Sequence, residues 1–543
     1  MMEQVEQWLE TCRCNPELRE EVLAFMDDEE ELIDRFAQEL TFGTGGIRGL
    51  LGVGTNRMNI YTVTRATLGL GKYLSEKRHH GDPSAVISYD NRNYSKEFAT
   101  RTAEVLSSFG IRVYLFNDMM PTPVLSFAVR YLRADCGVMI TASHNSKEYN
   151  GYKVYNEKGC QITDHAAKEI YSYIQASSYF AQYVPRAEKI QNISEQLLDA
   201  FLREVTRLSL YQDPILEPVV YTPLHGTGLK PVTKLLTARG LKRLCIVPSQ
   251  AEPDGNFSTC PYPNPEEKEA LSLGIQHATE TGAALVLATD PDADRVGIAV
   301  TDCHGKFHLL SGNETGILLM NYMLLRKAEK GTLGVNPCVI KTIVTSDMAF
   351  SIAAKYGVTV KEVLTGFKYI GEEMERIDNF VMGFEESCGY LVGTHVRDKD
   401  AVSAVMMIVE MEAYYRSRGQ KLYDVLMDLY HEHGYWMTAL TSVVYHGASG
   451  SIAMNEVMER MRNTSAITLL GQTATVTDFS VGVGGLPCSN VLRYTTSRCR
   501  VILRPSGTEP KLKVYYQVNG SSEAESKERL ARLQTAFSSL LQS

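Results

Sequence analysis

Long hydrophobic runs are missing from this chain: no stretch approaches the roughly 18–20 apolar residues that a bilayer span needs. The opening Met1-Met-Glu-Gln-Val-Glu6 is acidic, without the basic segment and apolar run of a secretory leader. Both absences predict a cytoplasmic protein with no membrane partner. An excess of positive charge is missing too. The 55 Lys and Arg against 64 Asp and Glu give a formal net charge of -9, which argues against a nucleic-acid backbone as ligand. It does not exclude a small anion, which a few local Arg and Lys can hold. Paired cysteine motifs are also absent: the 11 cysteines are scattered and odd in number, and Cys12 and Cys14 stand too close for a zinc-type pair. Free thiols in a reducing compartment are the expected state.

What is present is a recurring rhythm. At 543 residues the chain is too long for one core, and roughly 150 residues per domain suggests three or four. The first forty residues read as two amphipathic helices. They are followed by the glycine-rich Thr41-Phe-Gly-Thr-Gly-Gly-Ile-Arg-Gly49, which follows a helix rather than a strand and so fails as a dinucleotide fingerprint; its Arg48 suggests an anion. From residue 64 short apolar strands alternate with helices of ten or more residues: helix 64–79, strand 85–89, helix 95–109, strand 111–116, helix 123–133, strand 136–140. Residues 150–155 look like a hairpin return. The alternation starts again near residue 193 and once more near residue 312, which reads as a threefold structural repeat with little sequence identity. After about residue 430 strand-like stretches and a final helix 521–541 suggest a smaller α+β domain. The expected fold class is α/β, with three related α/β domains with mixed sheets and a smaller C-terminal α+β domain. The boundaries fall at 1–205, 206–308, 309–430 and 431–543.

Each unit delivers its most polar motif at the end of its last strand, where side chains can meet a ligand. In the first, Ala142-Ser-His-Asn145 follows the strand 136–140, so Ser143 is placed as a nucleophile, although Ser, His and Asn are also ordinary turn residues. Lys153 returns toward the same edge on the hairpin. In the second, Thr289-Asp-Pro-Asp-Ala-Asp-Arg295 crowds three carboxylates that repel one another unless a cation or protons intervene. Mg2+ fits them better than Ca2+, because Arg295 and Thr301 occupy the positions where an EF-hand needs Gly and Glu. In the third, Gly383-Phe-Glu-Glu-Ser-Cys-Gly389 sets Glu385 and Ser387 on one side of an extended segment, a pairing suited to vicinal sugar hydroxyls. His395, Arg397 and Lys399 follow closely. The last domain offers Arg504-Pro-Ser-Gly-Thr-Glu-Pro510, a guanidinium with two hydroxyls on a loosened backbone, as phosphate loops have.

With these four motifs in this order, the chain resembles the α-D-phosphohexomutase superfamily from about Thr41 to its end. The resemblance implies four domains around a central cleft and a phosphoryl transfer between positions of a sugar phosphate, through a phosphoserine and a 1,6-bisphosphate. It implies that Ser143 carries the phosphoryl group and that Ser143, Asp290, Asp292 and Asp294 hold Mg2+. Glu385 and Ser387 would select the sugar, and Arg504, Ser506, Gly507 and Thr508 would hold the phosphate not being transferred. Arg48, Arg295, Thr365, Gly366 and Lys368 would line the substrate site, with His144, Lys153 and Lys399 catalytic and Lys153 or Lys399 the candidates for proton transfer. A hexose 1,6-bisphosphate would act as activator and the protein would be a monomer or homodimer. The sugar loop looks like the glucose type, with pentose and mannose phosphates as alternatives. A metal-dependent sugar phosphatase is the rival enzyme class, and a non-catalytic sugar-phosphate sensor would more readily have lost Ser143 or an aspartate of the triad.

Overall fold

The computed structural model describes residues 2–11, 16–43, 45–77, 81–193, 195–445, 450–464, 466–506 and 511–542. The amino-terminal segment holds three helices where two are expected: Met2–Thr11, Pro16–Phe25 and Glu29–Phe36. Pro16 suits the first position of the second helix, where its missing N–H costs nothing. Asp28 separates it from the third by accepting from Glu30 and Glu31 N–H at 3.1 and 3.2 Å, a standard N-cap. The next helix, Ile60–Glu76, starts four residues before the expected position. Asn59 sets that start: its side chain accepts from Tyr61 and Thr62 N–H, and Thr62 Oγ1 accepts from Asn59 N–H at 2.9 Å.

The first sheet has six strands in the order Ile47–Leu50, Tyr149–Asn156, Cys136–Ile140, Ser84–Tyr89, Arg112–Phe116 and Ile190–Ile193. One of these corrects the expectation: Ile47–Leu50, expected as part of a glycine-rich turn, is an edge strand antiparallel to Tyr149–Asn156. Ile190–Ile193 completes the first sheet beside Arg112–Phe116. The second sheet runs Phe307–Leu310, Val296–Thr301, Leu285–Thr289, Val219–Thr222 and Leu244–Ile246; the third runs Thr359–Val363, Cys338–Thr342, Phe380–Glu385 and Gly389–Val392.

A single device recurs in all three. The last parallel strand of each sheet (Cys136–Ile140, Leu285–Thr289, Phe380–Glu385) turns into an antiparallel partner (Tyr149–Asn156, Val296–Thr301, Gly389–Val392). The polar motifs occupy those three turns. The threefold repeat is therefore real at the level of topology, and it carries the chemistry to one equivalent point in each domain. The fourth sheet is wholly antiparallel, in the order Tyr435–Val444, Lys511–Gly520, Cys499–Pro505, Leu492–Thr495, Thr475–Asp478, with the helix Glu523–Gln542 against it. The nine described cysteines are all free thiols. Among the described residues no helix is long and apolar enough to cross a membrane.

One apolar core passes without interruption through the first three domains, from Val124 and Phe201 through Leu235 and Leu287 to Leu318, Met382 and Val405. The fourth has its own core around Met458, Val501, Tyr516 and Phe537. Beside the shared core lies one buried charge. Glu410, on the helix Ala401–Arg416, has no solvent exposure. It accepts from Leu210 N–H at 2.9 Å, Tyr211 N–H at 3.2 Å and Arg239 Nε at 2.9 Å. Removing one partner of a buried network strands the others. Glu410→Ala is expected to lower unfolding stability by about 3–5 kcal/mol, with Glu410→Gln intermediate because it keeps an acceptor but not the charge; the midpoint of urea unfolding checks both.

Candidate active site

The three equivalent turns share a backbone feature. Each holds one non-glycine residue in the left-handed region: Ser143 (φ 55°), Ala293 (φ 46°) and Cys388 (φ 58°). Such residues cost of order 1–3 kcal/mol each, so their surroundings must hold them. For Ser143, the strand Cys136–Ile140 delivers the chain into the turn and Thr141 Oγ1 accepts from Ser143 N–H at 2.8 Å. The hydroxyl is buried and donates to Asp290 Oδ2 at 2.8 Å, with His144 Nδ1 at 3.3 Å. Residues 147 apart in sequence thus meet.

Asp290, Asp292 and Asp294 are all buried, and one oxygen from each lies within 4.8 Å of the others. The carboxylates have divided roles. Asp290 Oδ1 accepts from Asp294 and Arg295 N–H at 3.1 and 3.0 Å. Asp292 Oδ2 accepts from Thr122 Oγ1 and Lys153 Nζ, both at 2.8 Å. Asp294 Oδ2 faces Lys399 Nζ at 3.2 Å and Lys153 Nζ at 3.7 Å. Burial and then the charges of Asp292 and Asp294 push Asp290 well above the usual carboxylate range. Burial opposes the charge on Asp292 as well, but Lys153 and Thr122 outweigh it and hold that group low. Two buried oxygens, Asp292 Oδ1 and Asp294 Oδ1, have no hydrogen-bond partner. Buried carboxylate oxygens without a hydrogen-bond donor, in a cluster where one oxygen of each of three aspartates lies within 4.8 Å of the others, are what a hard divalent cation requires, so these residues can hold a metal ion.

The loop is supported from behind by Thr222-Pro-Leu-His-Gly-Thr-Gly228. Thr227 N–H and Oγ1 both donate to Pro291 O, at 2.8 and 2.9 Å. A Cβ on Gly226 would meet Pro291 Cα at 2.4 Å, so only glycine permits the approach.

Glu385 ends its strand buried, and its Oε1 accepts from Ser387 Oγ at 3.1 Å. Burial pushes it up, while Lys399 and Arg295 pull the other way. The adjacent Glu386 is pushed up to about 7 by burial and by Glu385. Arg295 joins the second and third loops, donating from Nη1 to Glu266 Oε1 at 2.9 Å and to Ser387 O at 3.2 Å. Lys399 stays charged despite its burial, because Asp294, Asp398 and Glu385 raise it. His144 is the opposite case: burial, Arg295 and Arg48 hold its imidazole neutral. Arg48 reaches the serine loop from the edge strand, Nη1 to Asn145 Oδ1 at 2.9 Å.

The remaining expected residues have the following contacts. Lys368 pairs with Asp164 Oδ1 at 2.9 Å and stands over the Tyr369 ring, linking the first and third domains. Thr365 Oγ1 is buried without a hydrogen-bond partner, and Gly366 (φ 122°) opens the helix Phe367–Met374. Arg504, next to last in its strand, lies opposite Lys513, and Ser506 N–H donates to Lys511 O at 2.7 Å. Arg504 lies within electrostatic reach of Glu386. Gly507 and Thr508 fall outside the described residues. Three contributors escape the sequence reading. Thr122 binds Asp292 from another domain. Asp398 Oδ2 accepts from Tyr155 OH and Gln161 Nε2, both at 3.0 Å, while its Oδ1 lies 3.3 Å from Lys399 Nζ. Lys513 sits among Arg504, Glu386 and Arg295. Only Lys513 leaves a signal in sequence, the strand alternation Lys511, Lys513, Tyr515 that puts it on one face with its neighbours.

Models of the phosphoglucomutase/phosphomannomutase α/β/α domains I, II and III match residues 39–180, 199–305 and 311–433, and the model of the C-terminal domain matches 456–539. The chain is 38% identical over 507 residues to a phosphoglucomutase of Staphylococcus haemolyticus, covering 89% of this chain and 91% of that one. To a phosphoglucomutase of Staphylococcus aureus it is 36% identical, covering 94% of each. In fold it is similar to a phosphomannomutase from Thermus thermophilus described as putative in its own right (TM-score 0.70, 22% identity, 93% of this chain and 100% of that one). It is also similar to the open form of the Paramecium phosphoglucomutase parafusin (TM-score 0.72, 16% identity, 93% and 96%). Topology, motif order and sequence agree: the chain belongs to the phosphoglucomutase/phosphomannomutase family.

Proposed function

We propose that this protein interconverts glucose 1-phosphate and glucose 6-phosphate through a phosphorylated Ser143 and a 1,6-bisphosphate intermediate. The observation that carries this is the meeting of Ser143 Oγ with the buried aspartate triad at 2.8 Å, opposite a Glu385-Ser387 pair able to hold sugar hydroxyls. The curated relatives at 36–38% identity, named phosphoglucomutase, favour glucose over pentose or mannose.

In the first half-reaction the P–Oγ bond of phosphoserine 143 breaks and a P–O bond to the free sugar hydroxyl forms. That hydroxyl loses its proton and Ser143 Oγ gains one. When Ser143 Oγ later attacks to take a phosphoryl group back, His144, neutral and 3.3 Å from Oγ, can accept its proton, and Lys399, held charged, can give one to the departing sugar oxygen; the first half runs these two proton movements in reverse. Lys153 places a second amine beside the aspartates. The bisphosphate then turns, and its other phosphoryl group returns to Ser143, leaving the isomer. Because the sugar binds in two orientations, Glu385 with Ser387 and Arg504 with Ser506 serve both halves. Asp290, Asp292, Asp294 and the phosphorylated Ser143 are the groups that would hold Mg2+, which tolerates few carboxylates together with phosphate. When bound, it would offset charge on the transferring oxygens. A hexose 1,6-bisphosphate would phosphorylate any enzyme left with a bare Ser143.

In a coupled assay with Mg2+ and catalytic glucose 1,6-bisphosphate, Ser143→Ala is expected to lose isomerisation by about 10³-fold or more, and intact-mass measurement should find no phosphoryl group on it. Chelation should abolish wild-type activity and Mg2+ restore it. Preference for ribose 1-phosphate would redirect the reading to pentose phosphates; release of inorganic phosphate without isomer would overturn it. Glu385→Gln weakens a charged hydrogen-bond acceptor, and kcat/KM for glucose 1-phosphate is expected to drop ~10–100-fold with the phosphoserine still formed. An unchanged kcat/KM would remove Glu385 from the sugar site.

A further inference from the structure

Ser143 is held in a strained conformation, and the hydrogen bonds of its own side chain do not explain why the loop keeps it. The explanation lies beneath the loop. Arg92 is buried, with 3% of its surface exposed, and its guanidinium faces a ring of four main-chain carbonyls. Nη2 donates to Ser143 O at 2.6 Å and to Asn145 O; Nη1 donates to Ser146 O at 2.7 Å and Tyr149 O at 3.1 Å. The fifth N–H, on Nε, stands 3.3 Å from Asp90 Oδ2. Asp90 is itself fixed, its Oδ1 accepting from Arg92 N–H at 3.0 Å and Ser95 Oγ at 2.7 Å. From the second domain the buried Phe257 ring lies 4.9 Å from the guanidinium carbon.

We propose that Arg92, countered by Asp90, is a positioning residue for phosphoryl transfer: it fixes residues 143–149 from below and so sets the direction in which Ser143 Oγ presents its phosphoryl group. The inference deepens the mutase reading and rests on it. The chemistry demands arginine. Four carbonyls need four donors in one plane, which a guanidinium has and an ammonium, with three, lacks, while the Asp90 carboxylate balances the charge at 3.3 Å. The contacts go to the main chain of the serine loop, so substrate affinity should not depend on them, whereas the alignment of Oγ should. A displacement near 1 Å at a reacting atom costs about 10²-fold in rate.

The test uses the full-length protein. Arg92→Lys and Arg92→Gly are expected to lose about 10²-fold in kcat with KM for glucose 1-phosphate nearly unchanged. The single-turnover loss of phosphate from labelled phosphoserine 143 to glucose 1-phosphate should slow in parallel. Added guanidinium chloride at millimolar concentration should recover part of the kcat of Arg92→Gly but none of that of Arg92→Lys, a rescue that a merely structural role would not show. Should Arg92→Gly fail to fold, Asp90→Asn, which keeps volume and removes the counter-charge, gives the same readout: a fall in kcat without a rise in KM. Wild-type kcat in the folded Arg92→Lys protein, or a loss expressed in KM, would overturn the proposal. Failure of the mutase reading shows elsewhere, as wild-type enzyme that neither isomerises the sugar nor carries phosphate on Ser143.

Discussion

Three carboxylates buried within 4.8 Å of one another are the constraint to which the rest of this molecule answers. Charge taken out of water is costly unless it is matched nearby, and a single domain does not supply the match. Thr122 and Lys153 come from the first domain, Lys399 from the third, and Arg295 from the loop itself. Main-chain bonds follow the same routes: Thr122 N–H to Asp292 O at 2.9 Å, Val296 N–H to Cys388 O at 3.1 Å, Ala401 N–H to Ala293 O at 3.3 Å. The second-domain loop is therefore the hub at which three domains are joined, and the same contacts that balance its charge fix their relative placement.

That balance also explains why the chemistry belongs here. A phosphoryl group on Ser143, as proposed, would add roughly two negative charges at neutral pH beside Asp290, already disfavoured as an anion by burial and by Asp292 and Asp294. The lysines would offset part of this, and the oxygens of Asp292 and Asp294 that lack a hydrogen-bond donor mark where a cation would offset more. In the proposed reaction, transfer to a sugar hydroxyl would move negative charge away from the cluster and transfer back would restore it.

Much of this was legible in sequence, for reasons that differ by element. The strands Ala85–Tyr89 and Cys136–Ile140 announced themselves because parallel central strands are apolar on both faces. The motifs stood out because Asp290, Asp292 and Asp294, or Arg504 and Ser506, have no reason to crowd together in an ordinary turn. The edge strand Ile47–Leu50 was hidden because its pairing partner lies about a hundred residues away and its glycines read as a turn. The amino-terminal helices merged into two because the break between the second and third depends on one cap, Asp28. Arg92 and Asp398 were invisible for a deeper reason. Each acts by donating to or accepting from groups that the chain brings near only when folded, so even inside the charged run that holds His395, Arg397 and Lys399 nothing in the sequence singled out Asp398.

The joints between domains are of two kinds, and the difference bears on how a bisphosphate can turn. The first three domains share one continuous apolar core, which makes separating them costly. The seam to the fourth has a smaller apolar patch of its own, Ile343, Val344 and Leu364 against Phe479, Val491, Ile502 and Tyr515, besides Tyr435 and Trp436 against the shared core. Around that patch the contact is ionic. Lys341 Nζ bonds Asp347 at 3.0 Å and Glu362 at 2.8 Å, and those carboxylates also meet Arg500 at 2.8 and 3.2 Å and Arg493 at 3.1 Å. Ionic groups at an opening seam regain water, which offsets their lost attraction, whereas apolar groups would gain nothing. In the proposed reaction Arg504 and Ser506 belong to the domain held by this seam, while Ser143 and the aspartates belong to the part held by the core. An opening at the seam would release the sugar phosphate without disturbing the geometry at Ser143.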